Sequence, residues 1–550
     1  MKKIINTVLL VAGLTSTAFT LNSCEDALDI KQAGELTPNT PDTPDNLFVS
    51  VSSLNDVLLG SVYGTMDPLE EIYFSGVFTD ELMISQIGSG GQEWELYRHF
   101  LNPSSSLVNG GGMSNLTTSG LWLKHYSIIN NVNRLLAGAT NITPKTPAEQ
   151  TQYNQILAQA RAARAFSYVQ LQAFFSTDMK NPSALGVMLV KDVPTVDVKL
   201  PRATNQEVYD FINADLDYAR SILTSYSTDR YRISKGFINA LSARFNLYRG
   251  NTALAKQYAQ DVISNSGLSL TQGQPNSGTN PYAGTASGAY STTANFQSTA
   301  WNVAFYGGNN VATGNGLQGS FNPYRNMWND RERGEVIFSL NRLALGSGAA
   351  VGSLWAANGS VVTGSPMWLW SKNLVNLFYV NGDVRKYAYV DPTANPYINQ
   401  GDDYYVIDKY PGKTSAVSRN DLKLFRLSEM KFILAECEVA SNNLSTAQNL
   451  IQEVRAARRL HGTAITPTYT SAQQAYADIL QERRIDLALE GHRYLDLKRL
   501  ATLAGVTMDR NTDDDFVTVS NLPNNSYKYT MPIPLSEISA NPNIQQNPGY

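Results

Sequence analysis

The chain has 550 residues, 43% hydrophobic and only 16% charged, with a formal net charge of −4. That length exceeds one small core and leaves room for a large helical array or more than one domain. The slight acidity gives no basic footprint for nucleic acid, and Asn, Gln, Ser, Thr, Gly and Tyr supply the polarity instead.

Lys2 and Lys3 precede a short apolar stretch that begins at Val8–Leu14. This is the layout of an export signal, too short to span a bilayer. It ends in Leu21-Asn22-Ser23-Cys24, which resembles a bacterial lipobox. Cleavage there leaves Cys24 as the new N-terminus, acylated on its thiol, and the loss of two lysines moves the net charge from −4 to −6. The alternative is an ordinary signal peptide that contains a cysteine. Cys437 is the other cysteine, so an acylated Cys24 leaves no disulfide. Glu25 and Asp26 resemble the surface-export signal of some Gram-negative lipoproteins. No later run is apolar enough to cross a membrane, so the expected anchor is lipid alone. Residues 24–46 are polar, with Pro38, Pro41 and Pro44 spaced by three, and read as an extended tether. The expected organisation is a signal peptide at 1–23, a lipid-anchored tether at 24–46 and a single domain at 47–550.

Leu47–Tyr63 has a helical pattern, and Ile87–Asn115 is loop-like. Leu121–Ala139 carries Trp122, Tyr126, Ile129, Val132 and Leu136 at helical spacing. Thr146, Pro147 and Glu149 predict a capped start for the next helix, Thr204 with Glu207 another, and Ser471 with Gln474 a third. Ser242–Val262 and Leu434–Val454 repeat each other at an offset of 192 residues. Ala243 matches Ala435, Ala255 matches Ala447, Ala259 matches Ile451 and Val262 matches Val454. Each copy reads as two antiparallel helices around a short Gly/Asn turn, a degenerate tetratricopeptide pair. In the later copy Ser445 and Gln448 are expected to cap the second helix, and Leu427, Met430, Leu434 and Cys437 to form a buried stripe.

Between the copies the character changes. Val262–Tyr324 and Leu343–Ser371 contain no Asp, Glu, Lys or Arg. The span at about 267–370 holds Trp301, Trp328, Trp355, Trp368 and Trp370, five of the seven tryptophans. A long span of this kind is functional or disordered, and disorder is poor in aromatics, so it is expected to be ordered. Rings in an amide- and hydroxyl-rich setting suit a neutral carbohydrate, and an extended peptide could use the same groups. Many of these rings are expected simply to pack loops onto helices. The candidate ligand contacts are Trp94, Tyr290, Trp301, Tyr306, Tyr324 and Trp328.

Other motifs weigh less. Gly314–Gly319 matches GxGxxG, but its flanks supply neither the strand nor the helix of a dinucleotide site. Asp509, Asn511, Asp513 and Asp515 mimic the start of a calcium loop, which makes structural calcium a candidate, yet Asp514 and Ser520 replace its glycine and glutamate. No HExxH, Walker, zinc-type or GxSxG motif is present, and no catalytic residue is assigned.

Glu482–Arg499, ERRIDLALEGHRYLDLKR, resembles the signature of the SusD/RagB family of outer-membrane lipoproteins. FTDEL at Phe78–Leu82, ARAARAFSYVQL at Ala160–Leu171, LFRLSEMKFILAECE at Leu424–Glu438 and the ending at Met531–Tyr550 are similar in the same order. The resemblance implies a mainly α fold, a tetratricopeptide-like helix-pair scaffold with long irregular ligand-binding insertions. It also implies a non-enzymatic lid on a SusC-like TonB-dependent transporter that captures glycans or, in some branches, peptides. No ligand residue carries over by motif. The function expected is capture and delivery of a nutrient oligosaccharide; peptide capture is the alternative, with a hydrolase or a purely structural scaffold behind it. Gln481–Leu500, dense in charge, is then a structural clasp rather than an acid/base site. Glu490 is expected to pair with Arg493 and Asp496 with Arg499, with Ile485, Ala488 and Leu489 buried and Gly491 at a turn.

Overall fold

Amide groups left free at a helix start need acceptors, and the sequence supplies them where expected, with one recurring shift. The computed structural model describes residues 48–84, 94–103, 118–195, 197–274, 305, 320, 322–343, 351–355, 368–380, 382–390, 405–413, 416–417, 419–511 and 520–550. The signal, the tether, Cys24 and the Gly314–Gly319 motif lie outside them. Helix α1 (Val51–Val57) runs into a π turn at Leu58–Val62. Helix α2 (Leu69–Phe78), strand β1 (Leu82–Ile84), α3 (Trp94–Tyr97) and α4 (Thr118–Ala139) follow. Helix α5 (Pro147–Phe175) begins at Thr146, whose hydroxyl accepts the Glu149 amide at 3.1 Å. Glu149 does not close a box with Thr146: its carboxylate accepts the Lys145 amide at 2.6 Å, one residue earlier. Strands β2 (Leu185–Met188) and β3 (Arg202–Thr204) form an antiparallel ribbon leading into α6 (Asn205–Ile222). There the box is complete, with the Glu207 amide donating to Thr204 at 3.3 Å and the Thr204 amide to Glu207 at 2.8 Å.

Helices α7 (Lys235–Tyr248) and α8 (Thr252–Asn265) form the first repeat copy. After them come α9 (Pro323–Trp328), β4 (Val336–Leu340), β5 (Trp368–Trp370), α10 (Lys372–Phe378) and α11 (Val384–Tyr389). A short β6–β7 pair (Gly412–Lys413, Ala416–Val417) precedes β8 (Leu422–Arg426), which lies antiparallel to β4. The second copy is α12 (Leu427–Ala440) and α13 (Leu444–Ala457); α14 (Ala472–Asp486), α15 (Arg493–Ala504) and a last short helix, α16 (Leu535–Ala540), end the chain. Ser471 accepts the Gln474 amide at 3.2 Å, and Gln474 again reaches one residue too far, accepting from Thr470 at 2.9 Å.

The repeat extends through both helices. Lys235 and Leu427, Tyr248 and Ala440, Thr252 and Leu444, Asn265 and Ala457 are the boundaries, each pair 192 residues apart. Even the turns correspond: Gly250 (φ 81°) and Asn442 (φ 61°) hold the left-handed conformation that ends a helix. The following amides close the turn alike, Asn251 to the Asn246 carbonyl and Asn443 to the Glu438 carbonyl, both at 2.8 Å. The alanines Ala243, Ala255, Ala435 and Ala447 are fully buried where the helices approach. The Ser445–Gln448 cap is not formed. Asn443 is the cap residue, and its amide side chain donates to Glu438 at 2.8 Å instead of accepting from the helix. Leu427, Met430, Leu434 and Cys437 form the buried stripe as expected. Helix α5 packs on α4 and α6, α12 on α8 and α13, and α14 on α12, α13 and α15.

The charges of Gln481–Leu500 are spent inside this scaffold. Asp486 receives Arg458 at 2.7 Å and Arg426 at 3.1 Å, while Glu335 receives the same two arginines at 2.8 and 2.6 Å. Burial opposes the charge on Asp486, but Arg458 and Arg426 hold its carboxyl well below the usual range. The expected Asp496–Arg499 pair forms at 2.6 Å, and Asp496 also receives Arg483 at 2.7 Å. The expected Glu490–Arg493 pair does not. Glu490 takes Arg426 at 2.8 Å and Lys409 at 2.7 Å, and Arg493 makes a two-pronged pair with Asp80, both bonds 2.7 Å. The reason is the break at Leu489 (φ 54°) and Gly491 (φ 85°), which ends helical geometry between the two residues. Ile485, Ala488 and Leu489 are buried as expected.

Candidate ligand-binding face

Strand β1 pairs antiparallel with β5, Met83 facing Leu369 and Ile84 facing Trp368. Alternation sends Trp368 and Trp370 to one side of this ribbon and Leu369 to the other. The tryptophan side enters the core. Trp368 donates to the Tyr73 hydroxyl at 3.2 Å and Trp370 to the Tyr389 carbonyl at 2.9 Å. The opposite side carries Met83 and Leu369, which join Val406 and the half-buried Tyr405 in a small apolar cluster separate from the main core. The Trp370 amide donates to the Tyr405 carbonyl at 3.0 Å, so residue 405 extends the ribbon. Helix α3 docks on the same strand through Tyr97, whose ring lies 5.6 Å from that of Trp368.

A rim of rings stands on this base. Tyr405 meets Tyr379 edge to face at 6.4 Å, and Tyr379 is 49% exposed. The Lys386 ammonium sits 4.0 Å above Tyr379 and 5.6 Å from Tyr387, and burial lowers its pKa. Phe305 packs against Tyr387 at 6.3 Å. Ile84, Trp368 and Tyr405, at which the segments 85–93, 356–367 and 391–404 attach, belong to or adjoin this ribbon. Such a face offers flat apolar rings edged by hydroxyls and one cation, suited to stacking on a ligand with an apolar face and polar rim.

The sequence-derived contacts separate into three groups. Tyr324 and Trp328 are corrected: both are fully buried and face no ligand. Tyr324 shares a 2.6 Å hydroxyl contact with Tyr389 and lies under Arg458 at 4.8 Å. Trp328 covers Lys409 at 4.4 Å and Lys423 at 5.1 Å. These rings lie against the buried cations. Trp355, Trp368 and Trp370 are likewise fully buried. Trp94 begins α3, the helix docked beside the ribbon. Tyr290, Trp301 and Tyr306 lie outside the described residues. Tyr379 and Tyr405, absent from the sequence-derived set, stand outside the uncharged span; the tyrosines of Phe378-Tyr379-Val380 and Tyr404-Tyr405-Val406 were their only signal. Of the calcium-like residues, Asp509 accepts from Asn373 at 2.8 Å and Arg484 at 3.0 Å, and Asp513 and Asp515 lie outside the described residues.

Paired helices that carry irregular segments and a ring-lined face define a helical-repeat binding scaffold. The chain belongs to the SusD family: residues 254–550 match the model of that family, and residues 56–247 match one described as starch-binding associating with outer membrane. It is 25% identical over 539 residues to SusD-like protein P2 of Formosa agariphila, covering 92% of this chain and 94% of that one. A SusD superfamily protein from Bacteroides thetaiotaomicron shares the fold at a TM-score of 0.70 and 22% identity, over 91% of this chain and 100% of that one. A laminarin-binding SusD-like protein shares it at 0.61 and 20% identity, over 92% and 100%. Among the described residues no helix is long and apolar enough to cross a membrane.

Proposed function

We propose that this protein binds a neutral oligosaccharide at the ring-lined face and delivers it, chemically unchanged, to a SusC-like TonB-dependent transporter. Lipid on Cys24 holds it at the outer membrane, exposed at the cell surface. The observation that carries the reading is the exposed Tyr379, braced by Tyr405 beside the β1–β5 ribbon. Sugar rings present C–H faces that stack on such side chains, and neutral amides and hydroxyls satisfy their hydroxyl groups. The starch named by the matched family model and the laminarin named for a fold relative are both neutral glucans.

Calorimetry against starch- and laminarin-derived oligosaccharides and a peptide panel tests this, with wild type beside Tyr379→Ala and Trp301→Ala. Glucan binding that weakens in both variants is expected. Binding of peptides alone would move the reading to peptide capture, and glucan binding equal in all three proteins would remove the site from this face. Replacing Cys24 is expected to release the protein from membranes; continued membrane association would end the lipid-anchor reading.

A further inference from the structure

A cleft elsewhere in the fold shares no lining residue with the ring-lined ribbon. Helix α5, the end of α6 and the loop at 223–234 enclose this cleft of about 640 Å³, with Asn55 of α1 at its edge. That volume falls within the roughly 300–1,000 Å³ of ligand pockets. Gln152, Gln155 and Gln159 recur every three or four residues along one face of α5 and line it. Ile156 and Ile233, both almost fully buried, also line it. The floor is fixed before any ligand arrives: the Ile233 amide donates to the Tyr63 hydroxyl at 3.0 Å, which donates to Gln159 Oε1 at 2.8 Å.

Among the described residues no carboxylate lines this cleft, and the one charged side chain that does is Arg232. The guanidinium makes a single hydrogen bond, to the neutral Asn55 Oδ1 at 3.3 Å, and no ion pair among the described residues. Asp229, three residues earlier, accepts the Tyr231 amide at 2.8 Å. The contrast with other arginines is sharp: Arg164, Arg244 and Arg493 each grip a carboxylate through two nitrogens. Arg232 thus brings an uncommitted planar donor fork to a ligand-sized, amide-lined cleft.

We propose that this cleft is a second binding site, for an acidic sugar: a hexuronate-bearing oligosaccharide whose carboxylate pairs with Arg232 and whose hydroxyls meet the glutamine row. A guanidinium matches a carboxylate in plane and spacing, and primary amides both donate to and accept from hydroxyls. A phosphate fits less well. One cation faces it, and the C-terminal end of α6, the negative end of a helix dipole, opens onto the same cleft. The proposal does not depend on the aromatic face; it adds a site for an acidic rather than a neutral sugar.

The test uses the full chain, a hexuronic-acid tetrasaccharide and the matching neutral hexose tetrasaccharide, with calorimetry as readout. Wild type is expected to prefer the uronate. Arg232→Gln is expected to weaken uronate binding by about tenfold or more, the value of one lost charge-assisted contact, with the melting temperature unchanged. Thr224→Trp, which adds a bulky ring at the exposed rim, should weaken it as well and serves if Arg232→Gln fails to fold. Tyr379→Ala should leave it intact while weakening neutral glucan, which keeps the two sites distinguishable. Equal uronate binding by wild type, Arg232→Gln and Thr224→Trp would overturn the proposal. So would a wild type that does not prefer the uronate, or loss of uronate binding in Tyr379→Ala.

Discussion

Two regions of this molecule invert their first appearance. Gln481–Leu500 holds ten acidic, basic or histidine side chains and looks like chemistry, yet Glu482, Arg483, Asp486 and Asp496 are almost wholly buried and bonded to one another or to distant segments. The span at 262–371 carries charge only between Arg325 and Arg342 and looks like a surface of exposed rings, yet its described tryptophans are all core. The charged region stabilises the scaffold because each carboxylate has cations within bonding distance. In the other region Tyr324 and Trp328 lie against those same cations, and the proposed binding role passes to Tyr379 and Tyr405. Charge density therefore says little about exposure; the partner across the fold decides it.

The largest effect is expected where that partnership is densest. Asp486→Asn leaves Arg385, Arg426 and Arg458 crowded without their shared carboxylate. Breaking such a buried pair costs about 3–5 kcal/mol, so unfolding in denaturant should show a severe loss or no folded protein at all. A near-normal midpoint would mean the network is ornamental. Trp328→Ala should cost a similar or slightly smaller amount, about 3–5 kcal/mol, by opening a core cavity. If it instead lowers ligand affinity at unchanged stability, Trp328 belongs to the binding region after all.

A pH titration separates two neighbours, Glu81 and Asp80, that bond to the charged region. Burial raises Glu81 from 4.5 to about 7. The folded chain keeps a proton there that the unfolded chain has released, so this contribution is complete at low pH and fades as pH rises toward 7. Its size is up to about 3 kcal/mol, at about 1.4 kcal/mol per unit. Glu81→Gln should flatten the decline in unfolding free energy between about pH 5 and about pH 7.5; an unchanged slope would count against it. Asp80 acts in the opposite sense: burial opposes its charge, but Arg484 and Arg493 hold its pKa below 3.8, so its contribution is present at neutral pH and lost in acid. Tyr379→Ala, the mildest change, should leave stability within about 0.5 kcal/mol, as an exposed site does. Glucan affinity should fall by about 1–3 kcal/mol, by analogy with stacked bases.

Much of the scaffold was legible because its rules are local. Thr146, Thr204 and Ser471 mark helix starts, and the 192-residue repeat predicts a second helix pair down to its turn residue. The failures came where the deciding neighbour is distant or the geometry shifts by one residue. Arg493 lies 413 positions from Asp80, so spacing along a helix assigned it the nearer Glu490. Composition identified Tyr324 and Trp328 as rings but could not say that Arg458 and Lys409 lie against them. Arg232 carried no signal at all, since its meaning rests on which carboxylates are not nearby.

The division of labour between the two regions is tested most directly by a single double variant, Tyr379→Ala with Trp301→Ala, titrated calorimetrically with a starch-derived oligosaccharide that wild type binds. The account predicts a folded protein that has lost binding. Wild-type affinity in the folded double variant would contradict it and place the ligand elsewhere on the scaffold.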